Sequence, residues 1–347
     1  MRRFLKSYIF NFLLIVVFTG GVLILTLKDT YQDVLDILTH AHPFLLFLVF
    51  CLAFTGQCLL GWILKSLTCL SKPDYRFHQG LVNALVASFF HGVTPSASGG
   101  QFAQVFVFRK QEVSISDSAS ILWMDFILYQ STMVAVSLVL FLLRFRHFCL
   151  NSGTIGILVA LGLIINCCVI GGLYAAAHIK KVYWWLTTTG LKIGVRLRLI
   201  KDEQKAFQNL SLQITRFETE MTRLKSHQGL IIKVVLINAF RQLLYYSIPY
   251  FCALALGIQV QIQDFLNILA LTSFVSMVNC FIPIPGSSGG TEATFVYMFS
   301  TLFDKIEATG MMILWRFSTY YFIMILGGLT FVFQRVQLFY DERGNEQ

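Results

Sequence analysis

Apolar residues run along this chain in long blocks instead of alternating with polar ones. A bilayer core of ~30 Å takes about 20 helical residues. Six blocks reach that length, at roughly 8–27, 43–64, 118–143, 153–178, 229–256 and 310–334. Two further apolar regions are interrupted. Residues 80–93 stop at the TPSASGG run of 94–100 and resume over 101–110. Residues 264–282 stop at the PIPGSSGG run of 283–290 and resume over 291–303. Three of the six prolines, Pro95, Pro283 and Pro285, fall in these two breaks. There the proline ring removes a donor and glycine admits unusual dihedrals, which ends a helix. The pattern predicts an all-α polytopic membrane protein with about six full transmembrane helices and two re-entrant, broken-helix hairpins.

Basic residues in short loops set orientation. Arg2, Arg3 and Lys6 place the N-terminus in the cytoplasm, and Lys65, Lys72 and Arg76 bring the chain back to that side. If 80–110 is a hairpin that dips in and returns, the basic cluster at Lys180–Lys225 is also cytoplasmic; if it is a single span, the cluster is outside. The hairpin obeys the charge rule, although it leaves Arg144 and Arg146 outside. A second hairpin, 264–303, then enters from the opposite face. The division that follows has a first membrane half at 1–179 with hairpin 80–110 and a cytoplasmic amphipathic linker helix at 180–228. A second membrane half at 229–335 with hairpin 264–303 and a polar cytoplasmic tail at 336–347 complete it. In the linker, Phe207, Leu210, Ile214, Phe217, Met221 and Leu224 recur every three or four residues, one apolar stripe on a helix. An inverted pair of broken helices meeting near the midplane is a transporter architecture. The expected location is the cell membrane, multi-pass, with both termini cytoplasmic.

Composition narrows the class. Apolar residues make up 56% and charged residues 13% of the 347 positions, with a mean hydropathy of +0.68. Soluble domains carry roughly 25% charged residues, so a soluble enzyme and a nucleic-acid-binding chain are both excluded. The net charge is +9, and its clustering beside apolar blocks points to an anionic lipid surface. The eight cysteines contain no CxxC pair and the seven histidines no HExxH, so neither a metal site nor a disulfide framework is expected. No cofactor and no catalytic residue is assigned. The first block is followed by no cleavage site of the signal-peptide kind.

Candidate chemistry lies at the breaks and at charges inside apolar blocks. The amides that open a resumed half-helix carry partial positive charge and suit a phosphate. Thr94, Ser96, Ser98 and Gln101 in the first break, with Ser287 and Ser288 in the second, offer side-chain polar groups. Gly99, Gly100, Gly289 and Gly290 allow close backbone approach, and small residues equally serve tight helix packing. Arg241 and Arg316 are candidate phosphate ligands, because guanidinium matches phosphate in a bidentate manner. Asp125, Glu292 and Arg109 are assigned to a polar pathway, since ionisable groups at membrane depth usually line one. The alternative for Asp125, Glu292 and Arg316 is an ion pair that holds the bundle together.

Three segments carry a resemblance: TPSASGGQFAQVFVFRK (94–110), PIPGSSGGTEATF (283–295) and LWRFSTYYFIMILGG (314–328). They resemble the membrane domain of the lysylphosphatidylglycerol synthase/flippase family, over about residues 5–335. The resemblance implies translocation of an aminoacylated phospholipid of the lysyl-phosphatidylglycerol kind to the outer leaflet, which blunts cationic antimicrobial peptides. In full-length relatives a cytosolic domain carries the synthesis. This chain stops at Gln347, so a stand-alone translocase without lysyltransferase activity is expected. Gln101 and Gln104 stand where relatives of the family carry Glu and Arg, which leaves the headgroup open to another polar lipid or a polyprenyl-phosphate-linked sugar. The leading expectation is a lipid translocase with Arg316→Ala or Glu292→Ala abolishing appearance of the lipid in the outer leaflet. A membrane-embedded lipid-modifying enzyme and a small-solute transporter are the alternatives. The partners expected are an anionic or aminoacylated phospholipid and the bilayer, no nucleic acid, and a second copy of the chain as a candidate homodimer.

Overall fold

A computed structural model describes residues 38–94, 98–151, 226–279 and 284–344, with isolated positions at 32, 36, 162, 164–168, 171–172, 219, 222–223 and 282. The block at 8–27, most of the block at 153–178 and all six residues of the stripe at 207–224 lie outside the described residues.

The described chain is helical throughout, with no strand. Its elements are Pro43–Thr68 (α1), Phe77–Val93 (α2), Ser98–Lys110 (α3), Ile115–Asn151 (α4), Gln228–Ala255 (α5) and Asp264–Asn279 (α6). A 3₁₀ turn at Pro285–Ser287 leads into Gly290–Phe299 (α7), and Lys305–Arg316 (α8), a π-helical turn at Phe317–Tyr321 and Phe322–Gly344 (α9) follow as one rod. Four stretches are long and apolar enough to cross a membrane: α1, Ile115–Arg144 of α4, α5 and the Lys305–Gln334 rod. The protein is an all-α membrane protein.

Local chemistry sets the helix ends. Pro43 stands in the first turn of α1, where a missing N–H leaves no extra orphan. The Ser114 hydroxyl accepts from the Asp117 N–H at 3.1 Å ahead of α4. Asp304 accepts from the Glu307 N–H at 2.8 Å while the Glu307 carboxylate accepts from the Asp304 N–H at 3.3 Å, a reciprocal cap on α8. Pro249 sits inside α5 and withholds the hydrogen bond its nitrogen would give to Tyr245.

Lipid is as apolar as leucine, so burial alone does not drive these helices together; close backbone approach and polar contacts do. A Cβ placed on Gly80 would strike the Gly61 carbonyl, so α1 and α2 touch backbone to backbone there. Likewise a Cβ on Gly327 would strike the Leu85 carbonyl, which seats α9 against α2. Asn83 donates to the Gln104 carbonyl at 3.3 Å and Gln111 to the Gln79 carbonyl at 3.0 Å, so α2 and α3 fold back antiparallel. The Phe295 and Phe299 rings stack at 3.9 Å and Phe295 lies 4.9 Å from Trp315, which joins α7 to α8.

The two ends of the bundle differ in charge. At one end Arg223 donates to the Leu70 carbonyl at 2.6 Å and Lys72 to Glu112 at 2.8 Å, and Lys65, Arg76, Arg109, Lys110 and Lys233 lie nearby along the same helix termini. The other end is closed by His42 donating through its N–H to Ala255 at 2.7 Å and by Arg144 donating to Gln263 at 2.8 Å. It carries Asp264 and Asp304.

Candidate functional site

The two breaks approach each other at the π turn. Tyr320, within that turn, donates through its hydroxyl to the Gly92 carbonyl at 3.0 Å, in the last turn of α2. A Cβ on Gly286 in the second break would collide with the same hydroxyl. Tyr320 therefore touches both tips.

Around it the second break is tied down by an internal ion pair. Arg316 Nε donates to Glu292 Oε1 at 2.9 Å, with the two side chains 8% and 1% exposed. Its Nη2 donates to the Gly286 carbonyl at 2.9 Å, and its guanidinium lies 4.6 Å from the Tyr320 ring centroid. The other Glu292 oxygen accepts from the Gly289 N–H at 2.6 Å. These bonds hold a backbone that passes through positive φ at Gly286 (61°), Ser287 (52°) and Gly289 (84°). Glycine takes that conformation without strain, whereas Ser287 does so as an outlier. The Ser287 hydroxyl donates to the Asn279 carbonyl at 3.1 Å, and the Thr291 hydroxyl to Asn279 Oδ1 at 2.7 Å. Thus Glu292 and Arg316 are paired with each other, and the Ser287 hydroxyl is engaged within the break.

The first break is packed by its own side chains as well. Thr94 accepts from the Gly99 N–H at 2.9 Å and donates to the Phe90 carbonyl at 2.6 Å. The space above Gly99 is filled by Thr94, that above Gly100 by the His91 ring and that above Gly290 by Ile282. These glycines accommodate protein neighbours. Ser288 is fully buried. Gln101 and Arg109 are exposed on α3, Arg109 in its last turn, where a cation complements the helix dipole. Neither lines the cavity described next. Ser96 lies outside the described residues, and only the backbone of Ser98 is described.

That cavity, of about 350 Å³, opens between α1, α4, α5, the end of α6 and the π turn. Arg241, Gln242, Gln57, Asn279, Ser276 and Thr319 supply its polar lining, beside Tyr129 and Tyr245. The Arg241 guanidinium lies 5.1 Å from the Tyr129 ring centroid, and its Nη1 is buried without a hydrogen-bond partner among the described residues. Asp125 feels the Arg241 charge, and its Oδ1 is also buried without a hydrogen bond among the described residues. Gln242 donates to the Tyr129 carbonyl at 3.2 Å, and its own oxygen accepts no hydrogen bond among the described residues. Asn279 links the cavity to the second break through Thr291. Gln57 accepts from Ser88 at 3.0 Å and links it to α2.

Of the residues singled out in the sequence, the fold thus places Arg241 in the cavity wall, with Asp125 in reach of its charge, and joins Arg316 to Glu292. It adds Gln57, Gln242 and Asn279, which sequence reasoning missed. Amides inside apolar helices were the available signal, because burying an amide without a purpose is unfavourable. No group of three or more metal-ligating side chains occurs among the described residues.

Comparison with curated proteins finds no match. Residues 10–327 match the family described as the lysylphosphatidylglycerol synthase TM region. The match takes in both breaks, the ion pair and every residue that lines the cavity, and on its extent the chain belongs to the lysylphosphatidylglycerol synthase transmembrane-region family, whose name ties it to a membrane lipid.

Proposed function

We propose that this protein is a lipid translocase that moves a polar phospholipid, of the lysyl-phosphatidylglycerol kind, between leaflets. The observation that carries this reading is the Arg241 guanidinium, with an unpartnered Nη1, lining a polar cavity among membrane-length apolar helices. A charge at such depth is expensive and marks a substrate path. About 350 Å³ suits a headgroup and leaves the acyl chains in the bilayer. Arg241 holds the phosphate, the amide groups of Gln57, Gln242 and Asn279 take the headgroup's hydroxyl and carbonyl groups, and Asp125 balances the cationic part of an aminoacylated head. Glu292 and Arg316 fix the second break, which bonds to the cavity-lining Asn279 through Ser287 and Thr291.

The paired hairpins, one entering from each leaflet, supply alternating access, with the base-rich end in the cytoplasm as the charge rule requires. The meeting of the two tips at Tyr320 supports this arrangement. Delivery of such a lipid to the outer leaflet lowers its negative charge and so protects against cationic antimicrobial peptides.

The test is movement of a fluorescent lysyl-phosphatidylglycerol analogue in proteoliposomes, read by dithionite bleaching of the outer leaflet. Arg241→Gln is expected to slow movement at least tenfold while the protein stays folded. Unchanged movement in that variant rejects the assignment. The word "synthase" in the family description favours a second reading, a lipid-modifying enzyme. Incubation of proteoliposomes with aminoacyl-tRNA and phosphatidylglycerol separates the two, since new lipid appears only if the chain is an enzyme.

A further inference from the structure

Away from the cavity, at the base-rich end, two lysines converge on one indole. Lys65 Nζ lies 5.1 Å from the Trp62 ring centroid, one turn along α1, and Lys233 Nζ lies 5.9 Å from the same centroid, reaching across from α5. Trp62 is 43% exposed and its other neighbour is the Phe77 ring at 5.8 Å, in the first turn of α2. Neither ammonium forms an ion pair among the described residues. Two like charges held to one aromatic ring repel each other, and the aromatic attraction of each is only about 0.5–1 kcal/mol at an exposed site. Both ammonium groups are left open to an anion at this indole.

The surroundings say which anion. One turn deeper on α5, Leu236 is 64% exposed, and Ile232 beside Lys233 is 59% exposed. A surface with ammonium groups above, an indole at their level and bare aliphatic side chains below matches a phospholipid at the membrane interface, phosphate above and acyl chains below. A soluble anion would have no use for the aliphatic part.

We infer that Lys65, Trp62 and Lys233 form a site for the phosphate of an anionic phospholipid at the rim of the α1–α5 seam. The same two helices line the cavity deeper in the bundle, with Gln57 on α1 and Arg241 on α5, so the rim site lies on the helices a lipid follows toward it. The site itself stands without the translocase reading.

The test uses the full chain in detergent, titrated with phosphatidylglycerol or phosphatidylcholine, with bound lipid counted by native mass spectrometry. To keep the cavity out of the count, the comparison is made in Arg241→Gln protein. That background is expected to retain phosphatidylglycerol several-fold over phosphatidylcholine. Adding Lys65→Gln and Lys233→Gln is expected to abolish the preference, and adding Lys65→Arg and Lys233→Arg to preserve it. Equal phosphatidylglycerol retention with and without the glutamine pair overturns the inference. Displacement of phosphatidylglycerol by millimolar inorganic phosphate also overturns it, because the site would then be one for a soluble anion. Loss of translocation without loss of the rim preference, or the reverse, separates this site from the function proposed above.

Discussion

Glu292 shows how much one side chain fixes here. One oxygen receives Arg316 and the other receives the Gly289 N–H, so a single carboxylate closes both the ion pair and the start of α7. Removing one partner of a buried pair leaves an uncompensated charge, at about 3–5 kcal/mol. Glu292→Ala and Arg316→Ala are each expected to lower the thermal midpoint strongly in detergent. The double variant is expected to lose less than the two losses combined, because neither charge is then stranded. Additive losses would show that the two side chains act separately. On the proposed function both single variants are also expected to lose translocation, through collapse of the tip and not through loss of a phosphate ligand. Arg241 is the contrast: its Nη1 makes no hydrogen bond among the described residues, so Arg241→Gln is expected to lower the thermal midpoint less than Arg316→Ala does.

At the level of elements, the α1–α2 contact leaves no room for a side chain. Gly61 and Gly80 meet through backbone atoms, which have no rotamer to move aside. Gly80→Ala is expected to force the helices apart and to reduce the folded yield and the thermal midpoint; Gly290→Ala, which meets the flexible tip of Ile282, is expected to do so far less. Melting of the two purified variants checks the difference. The element pattern was largely legible. The second break falls where Pro285, Gly286 and Gly289 stand, because those residues act locally. Hydropathy placed the last span at 310, yet the helix starts at Lys305. The Asp304–Glu307 cap, a visible D-x-x-E, extends it past the apolar limit. The π turn was not legible, since it depends on what Arg316 and Tyr320 contact across the bundle. Nor was the cavity: Gln57, Arg241 and Asn279 are far apart in the chain, and no periodicity of one helix reports the face of another.

For the whole molecule, the charge asymmetry of the two ends is the property to test. The base-rich end carries the mouth of the α2–α3 unit, and the opposite end the turn between α7 and α8. Lys110 and Asp304 are exposed at those two places. In intact cells, Lys110→Cys is expected to resist an impermeant maleimide and Asp304→Cys to react with it. In inside-out vesicles the order reverses. Labelling of both from one side would end the reading of hairpins entered from opposite leaflets. The same result would place the Lys65–Trp62–Lys233 rim on the outer surface or leave it inside, according to which side reacts.

Tyr320 has a mechanical consequence. Its phenol bonds the end of α2 and rests on the glycine of the second break, while its ring lies under Arg316. A shift of either tip is therefore passed to the other through one rigid plate. Under the proposed alternating access the two mouths would act as an interlock, in which one door cannot swing without moving the latch of its neighbour.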